Sequence, residues 1–197
     1  MSDADRAGQR HFDSLYAHRA DPWDTAASWY ERRKRAIIAA ILPQQRFAHI
    51  YEPGCGSGEM TLALASRCER LHASDFSDPA VRITRDKTSH LPHVDVRQES
   101  LPGQWPALSA AAPPFDLIVL AELCYYLDPP QLTELTALAV AGLAPGGHML
   151  ACHWKKEFDD RLQPTDAMHR LIDANGRLRH TARYEDDDFL LDLWRKT

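Results

Sequence analysis

Ile50-Tyr51-Glu52-Pro53-Gly54-Cys55-Gly56-Ser57-Gly58-Glu59-Met60 is the stretch on which the reading of this chain turns. An apolar strand ends here and a helix begins, with three glycines at alternate positions between them. Glycine is required where the backbone takes positive φ or where a ligand touches the main chain. A tight strand-to-helix turn needs one such residue or two. Three, with an acid two positions before the first, fit a ligand-binding loop at a sheet-to-helix junction better.

Outward from this loop the pattern is short apolar runs alternating with helical stretches. Phe47 to Tyr51 reads as the first strand, and a helix follows the glycines to about Cys68. Leu71 to Ser74 is a second strand. Asp78-Pro79 supplies an N-cap and a first-turn proline for a helix reaching about Ser89. Val94 to Gln98 is a third strand. Leu101 to Pro114 is proline-rich and lacks helical periodicity. Phe115 to Leu120 is the most apolar strand and belongs at the sheet centre. Asp128-Pro129 opens a helix to about Leu143, and Pro145-Gly146-Gly147 turns into a fifth strand, His148 to Cys152. Upstream, a helix from Ser28 to Leu42 is stopped by Pro43, and the polar segment before it carries Phe12, Tyr16 and Trp23. Downstream, a short helix from Thr165 to Asn175 ends at Gly176. Arg177 to Tyr184 and Phe189 to Arg195 then form an antiparallel hairpin, their loop being too short for a crossover helix. The expectation is an α/β, single-domain sandwich: a mostly parallel central sheet, helices on both faces, closed by a C-terminal antiparallel hairpin. Residues 1–45 form an N-terminal helical lid, 46–154 the cofactor-binding core, and 155–197 the C-terminal helix and hairpin.

Composition narrows the function. Of 197 residues, 44% are hydrophobic and 26% charged, the balance of a globular protein. The net charge of −5 gives no general attraction for nucleic acid. The longest apolar runs fall short of the ~20 residues of a membrane span. No basic-then-apolar leader opens the sequence, and the four cysteines form no CxxC pair. Together these set the expectation of a cytoplasmic protein with reduced thiols.

The loop also discriminates among ligands. Dinucleotide loops follow GxGxxG, whereas this one is GxGxG. Glu52 would repel a diphosphate and attract an ammonium group. Asp75 ends the second strand 17 residues after Gly58, where a carboxylate can accept both ribose hydroxyls. An adenosine-containing ligand with an amino-acid moiety and no phosphate meets both demands, and S-adenosylmethionine is that ligand.

Glu52-x-Gly54-x-Gly56-x-Gly58, Asp75 and the strand Phe115-Asp116-Leu117-Ile118-Val119-Leu120 resemble the class I S-adenosylmethionine-dependent methyltransferases, which share a Rossmann-like sheet. A narrower likeness, to the NodS-like nodulation N-methyltransferases, rests on four pieces. They are Asp21-Pro22-Trp23, the run Trp29 to Lys34, Ala121-Glu122-Leu123-Cys124-Tyr125-Tyr126-Leu127, and Leu143 to His148. The resemblance implies that Gly54, Gly56 and Gly58 lie under the methionine and ribose parts, with Glu52 facing the amino group. It implies that Asp75 holds the ribose hydroxyls and Phe76 packs on adenine. Glu99 would stand near the adenine amine, Ser100 would offer its backbone N–H to the ring, and Glu122 would lie between cofactor and acceptor. The acceptor it implies is a small-molecule amine, with an amino sugar as the class suggested by the nodulation enzymes.

Other residues are candidates on chemical grounds. Tyr30 and Arg33 stand one helical turn apart, and with Trp23 they would line a lid in which Arg33 meets the cofactor carboxylate. Tyr125 or Tyr126 would wall the acceptor pocket. His153, Glu122 or Tyr125 would accept a proton from the attacking amine. His148, His169 and His180 are too scattered to suggest a metal site. Methyl transfer from a sulfonium is an in-line displacement, so the lack of a catalytic triad is no objection. Two other readings compete. A non-catalytic S-adenosylmethionine-binding module or partner subunit would bind without turnover. A nicotinamide oxidoreductase is disfavoured by the glycine spacing and by the missing second mononucleotide half.

Overall fold

A computed structural model describes residues 3–106 and 113–197; most of the proline-rich segment's tip therefore lies outside the described residues. Two helices come first, α1 (Asp3–His18) and α2 (Trp29–Ile41). The core runs β1 (Phe47–Pro53), α3 (Glu59–Ala65), β2 (Cys68–Asp75), α4 (Asp78–Thr88), β3 (Val94–Gln98) and β4 (Phe115–Ala121). A 3₁₀ turn (Cys124–Tyr126), α5 (Pro129–Gly142) and β5 (Leu143–Trp154) follow, then α6 (Thr165–Asp173), β6 (Leu178–Glu185) and β7 (Phe189–Lys196). The seven strands form one sheet in the order β3-β2-β1-β4-β5-β7-β6. The first five are parallel, and β7 runs antiparallel to both β5 and β6. This is a Rossmann-like α/β sandwich closed by an antiparallel hairpin, with β4 at its centre as its apolar sequence requires.

Alternation along the strands builds two cores. On one face Ile50, Leu117, Val119, Leu150 and Leu191 pack beneath Ile38 of α2 and Leu64 of α3. On the other, Tyr51, Ile118, Leu120, Met149 and Trp194 meet Leu132, Leu135 and Ala139 of α5 and Met168 of α6. Asp128 caps α5 in a reciprocal box with Gln131. Several boundaries differ from the sequence reading: the helix after the glycines stops at Ala65, and Cys68, read as its end, already opens β2. The N-cap position of α4 is Ser77, not Asp78, which is the first helical residue. The Ser77 hydroxyl donates instead to Asp13 of α1, at 2.7 Å. β5 begins at Leu143 because Leu143 pairs with Phe115, and an irregularity then carries the register across Pro145-Gly146-Gly147 to the Leu117–His148 pair. The α6 helix stops at Asp173, before Asn175.

Candidate active site

The strand order reverses between β1 and β4, and ligands of such sheets bind outside the carboxyl ends of the strands at that point. The glycine loop leaves β1 there and Glu122 leaves β4. Asp75 joins loop to sheet: its carboxylate accepts from the backbone N–H of Gly56 at 3.0 Å and of Ser77 at 2.9 Å. Thr84 of α4 donates to the Gly56 carbonyl at 2.8 Å. Gly54, Gly56 and Gly58 all have positive φ. Burial raises the Asp75 carboxyl to about 6, against the pull of those N–H donors.

Glu52 lies beside this loop, 3% exposed. Its Oε2 is buried and has no hydrogen-bond partner. Burial pushes the carboxyl up to about 8, opposed by the neighbouring Thr61 hydroxyl and reinforced by the charge of Asp75. An unsatisfied buried oxygen costs on the order of 1–3 kcal/mol, so its presence asks for a ligand. The fit to S-adenosylmethionine is good on this observation, because the missing partner is a donor and the ligand's amino group is a cationic one.

The first helix closes over the loop. Phe12 stands edge-on to Phe76 at 5.2 Å and to Tyr126 at 5.0 Å, and tilts against Trp23 at 6.0 Å. Gln9 donates to the Phe76 carbonyl at 2.9 Å. A Cβ at Gly56 would lie 2.8 Å from the Tyr16 hydroxyl, so only glycine admits this approach. Thr25 and Ser57 share a hydrogen bond of 2.7 Å between the N-terminal segment and the loop. Trp23 thus belongs to the cluster, half-exposed at its rim. Gln9, Asp13 and Tyr16 were not candidates from sequence; the i,i+4 spacing of Phe12 and Tyr16 is the signal that places them on one helical face.

Beyond β3, Glu99 accepts from Tyr51 at 3.2 Å and lies 3.0 Å from His72 Nε2. The Ser100 N–H is already engaged, donating to the Gln104 side chain at 2.7 Å.

Glu122 holds the opposite rim in a left-handed backbone conformation, φ 53°, strained for a residue with a side chain. Its Oε1 accepts from Lys34 at 2.6 Å, and its Oε2 from the Tyr125 hydroxyl at 2.6 Å and the Trp154 N–H at 3.1 Å. Lys34 is buried. That burial pulls its ammonium down, but the charges of Glu122 and Glu31 outweigh it and hold the group above its usual range. Its ammonium also sits 4.9 Å from the Tyr30 ring centroid. The Tyr30 hydroxyl is a second buried oxygen without a partner.

Three candidates need correction. Arg33 does not turn toward the crevice: its guanidinium bonds Asp186 at 2.6 Å and Tyr184 at 2.5 Å, on the C-terminal hairpin. The sequence offered two adjacent cations, and Lys34, one position on, is the one that faces inward. His153 is fully buried behind the 3₁₀ turn. Its Nε2 accepts from the Cys124 N–H at 3.1 Å, leaving Nδ1 to donate to His169 Nε2 at 3.0 Å. His169 Nδ1 then donates to Asp192 at 2.8 Å. Burial first, then His169, drives the His153 imidazole well below its ordinary range, so it supports the turn rather than collecting protons from an acceptor. Tyr125 is buried and its phenol is raised, by burial and then by Glu122. It stays protonated and orients Glu122. Among the described residues, no group of three or more His, Cys, Asp or Glu could hold a metal ion, and no helix is long and apolar enough to cross a membrane.

Comparison with known proteins agrees with this geometry. A methyltransferase-domain family model matches residues 50–147. Nodulation protein S of Rhizobium tropici is 34% identical over 137 residues, covering 66% of this chain and 53% of that protein. Its counterpart in Sinorhizobium fredii is 33% identical over 137 residues, covering 66% and 59%. The chain thus spans a little over half the length of these curated relatives. A crystal structure from Pseudomonas syringae, provisionally described as a methyltransferase, is 41% identical with a TM-score of 0.75, covering 86% of this chain and all of that one. The N-methyltransferase NodS of Bradyrhizobium japonicum, solved with S-adenosylhomocysteine, shares the fold at a TM-score of 0.81 and 24% identity, covering 95% and 97%. By sequence, fold and loop, this chain belongs to the class I S-adenosylmethionine-dependent methyltransferases, close to NodS.

Proposed function

We propose that the chain transfers a methyl group from S-adenosylmethionine to the nitrogen of a small-molecule amine, with an amino sugar as the acceptor class. The observation that carries the cofactor half of this reading is the buried, unpartnered Oε2 of Glu52 beside a glycine loop clamped by Asp75. The likeness to the nodulation N-methyltransferases supports the acceptor half. When bound, S-adenosylmethionine supplies a methyl group on a positively charged sulfur, open to in-line attack by a neutral amine.

The residues of the chain have distinct tasks around it. Glu52 binds the amino group, Asp75 the ribose hydroxyls, and Phe76 the adenine face, with Glu99 toward the adenine amine. Phe12, Tyr16 and Trp23 exclude water above the loop. Glu122 is the carboxylate at the rim; it orients the acceptor's N–H and takes the proton an ammonium must lose. Tyr125, the Trp154 N–H and Lys34 fix the direction of that carboxylate.

The test is turnover. Purified protein with S-adenosylmethionine and a panel of primary amines, amino sugars included, should accumulate S-adenosylhomocysteine with at least one member. Glu122→Gln should lower kcat on the order of 100-fold with cofactor affinity nearly unchanged. Tight cofactor binding with no turnover across the panel would favour a non-catalytic binding module. Calorimetric binding of NAD instead would overturn the cofactor itself.

A further inference from the structure

At the end of the sheet opposite the crevice, beyond the last turn of α2, lies a groove of about 440 Å³. Its floor is the start of β5 and the ends of the hairpin strands; its walls include Ile41, Pro43 and Leu193. Across the floor His148 pairs in register with Arg195, and Arg195 with Arg179, so an imidazole and two guanidiniums stand in a row over β5, β7 and β6, with burial and then Arg195 pulling the imidazole below its ordinary range. Like charges directly opposite on paired strands destabilise the pairing. Nothing here relieves them: among the described residues no carboxylate forms an ion pair with Arg179 or Arg195. Among the described residues the Arg195 side chain donates to the Gly146 carbonyl alone, at 3.2 Å. The nearby Asp116 accepts from the backbone N–H groups of Ala48 and His49.

A second observation is independent of the arginines. His148, which lines the groove, is 7% exposed, and its Nδ1 is buried with no hydrogen-bond partner. An orphaned imidazole nitrogen beside two uncompensated guanidiniums lacks a shared acidic or anionic partner. The volume lies in the small-molecule range of roughly 300–1,000 Å³ and is much more than a bare inorganic ion fills. The apolar walls would cover the remainder of a larger ligand.

We infer that this groove binds a small organic oxyanion, a carboxylate or phosphate carried on a compact apolar body, with Arg179 and Arg195 on the charged head and His148 completing its shell. The site is separate from the cofactor crevice and the inference does not depend on the proposed methyl acceptor. Its test is therefore made by binding, without turnover. The probes are phenyl phosphate, benzoate, inorganic phosphate and the neutral benzyl alcohol, titrated at constant ionic strength and followed by the ring resonances of His148 and the amides of Thr181 and Leu193. Saturable shifts are expected with phenyl phosphate or benzoate, weaker ones with inorganic phosphate and none with benzyl alcohol. The ratio of the two organic affinities identifies the head group. Arg195→Gln should weaken binding at least about tenfold, the loss of one charge-assisted hydrogen bond, and Arg179→Gln should weaken it as well. Both arginines are exposed, so the variants should fold, and S-adenosylhomocysteine binding by each confirms it. No saturable shift with either organic anion, or shifts that persist in the double variant, would overturn the site.

Discussion

Glu52 carries a charge requirement that free protein and bound ligand set in opposition. With its carboxyl raised to about 8, it is mostly protonated at pH 7 in the ligand-free chain. A bound ammonium favours the ionised form, so binding releases a proton below pH 8. Cofactor affinity should therefore tighten as pH rises from 6 to 8, by up to about tenfold per unit, and level off above. Calorimetry in buffers of different ionisation enthalpy measures the proton. Glu52→Gln should flatten the profile and weaken S-adenosylhomocysteine at pH 8 by about 10–100-fold, the worth of a charged hydrogen bond. Arg33→Ala is the contrast. Because Arg33 bonds Asp186 and Tyr184, cofactor affinity should not change, while the hairpin loosens slightly. An affinity loss as large as that of Glu52→Gln would return Arg33 to the crevice. The places of Glu52 and Asp75, near the ends of the first two strands beside the glycine loop, were legible from type and spacing. Arg33 against Lys34 was not, since a one-residue step turns a side chain about 100° around a helix and sequence does not fix which one meets the sheet.

At the level of elements, α1 is the segment that covers the glycine loop. It is tied down by an aromatic contact at Phe76, the Gln9 and Asp13 hydrogen bonds, and the Tyr16 approach to Gly56. It has no strand of its own to rest on. Such a segment opens at lower free energy than the sheet. S-adenosylhomocysteine should slow proteolysis near Asp13 several-fold, and Phe12→Ala should reverse much of that protection. Equal cleavage with and without ligand would show that α1 does not serve as a lid. The β-α alternation of the core was readable because period-2 and period-3.6 patterns differ plainly there. The start of β5 was not, because it depends on Phe115 pairing with Leu143 across a stretch that reads locally as a turn. Within the helical lid read for residues 1–45, the bounds of α1 were obscured by its polar composition.

For the whole molecule, the buried line from Cys124 through His153 and His169 to Asp192 connects the active-site rim to the hairpin. Asp192 also receives Arg183 at 2.8 Å and His180 at 2.6 Å. Burial raises its carboxyl, but hydrogen bonds from Arg183, His169 and His180 prevail and hold it far below the usual range. His153 is depressed in the folded state. The unfolded chain therefore binds the extra proton first, and stability falls as pH drops below about 6.5. Thermal unfolding between pH 8 and 5 should show this loss, and His153→Gln, which keeps one acceptor and one donor, should reduce its slope. A slope unchanged in that variant would mean the acid sensitivity arises elsewhere. In sequence these residues are scattered from position 124 to 192 and look unrelated; only the register of β7 on β5 and the packing of α6 bring them together.

This arrangement constrains how such a protein can diversify. Replacing Asp192 alone strands two imidazoles and a guanidinium, and replacing His169 alone severs the support of the turn that carries Tyr125. The terminal hairpin and the turn at 124–126 are therefore tied together through buried hydrogen bonds. A chimera that grafts a foreign tail after Trp154 should succeed only when that tail offers a buried acceptor to His153 Nδ1 where His169 now stands.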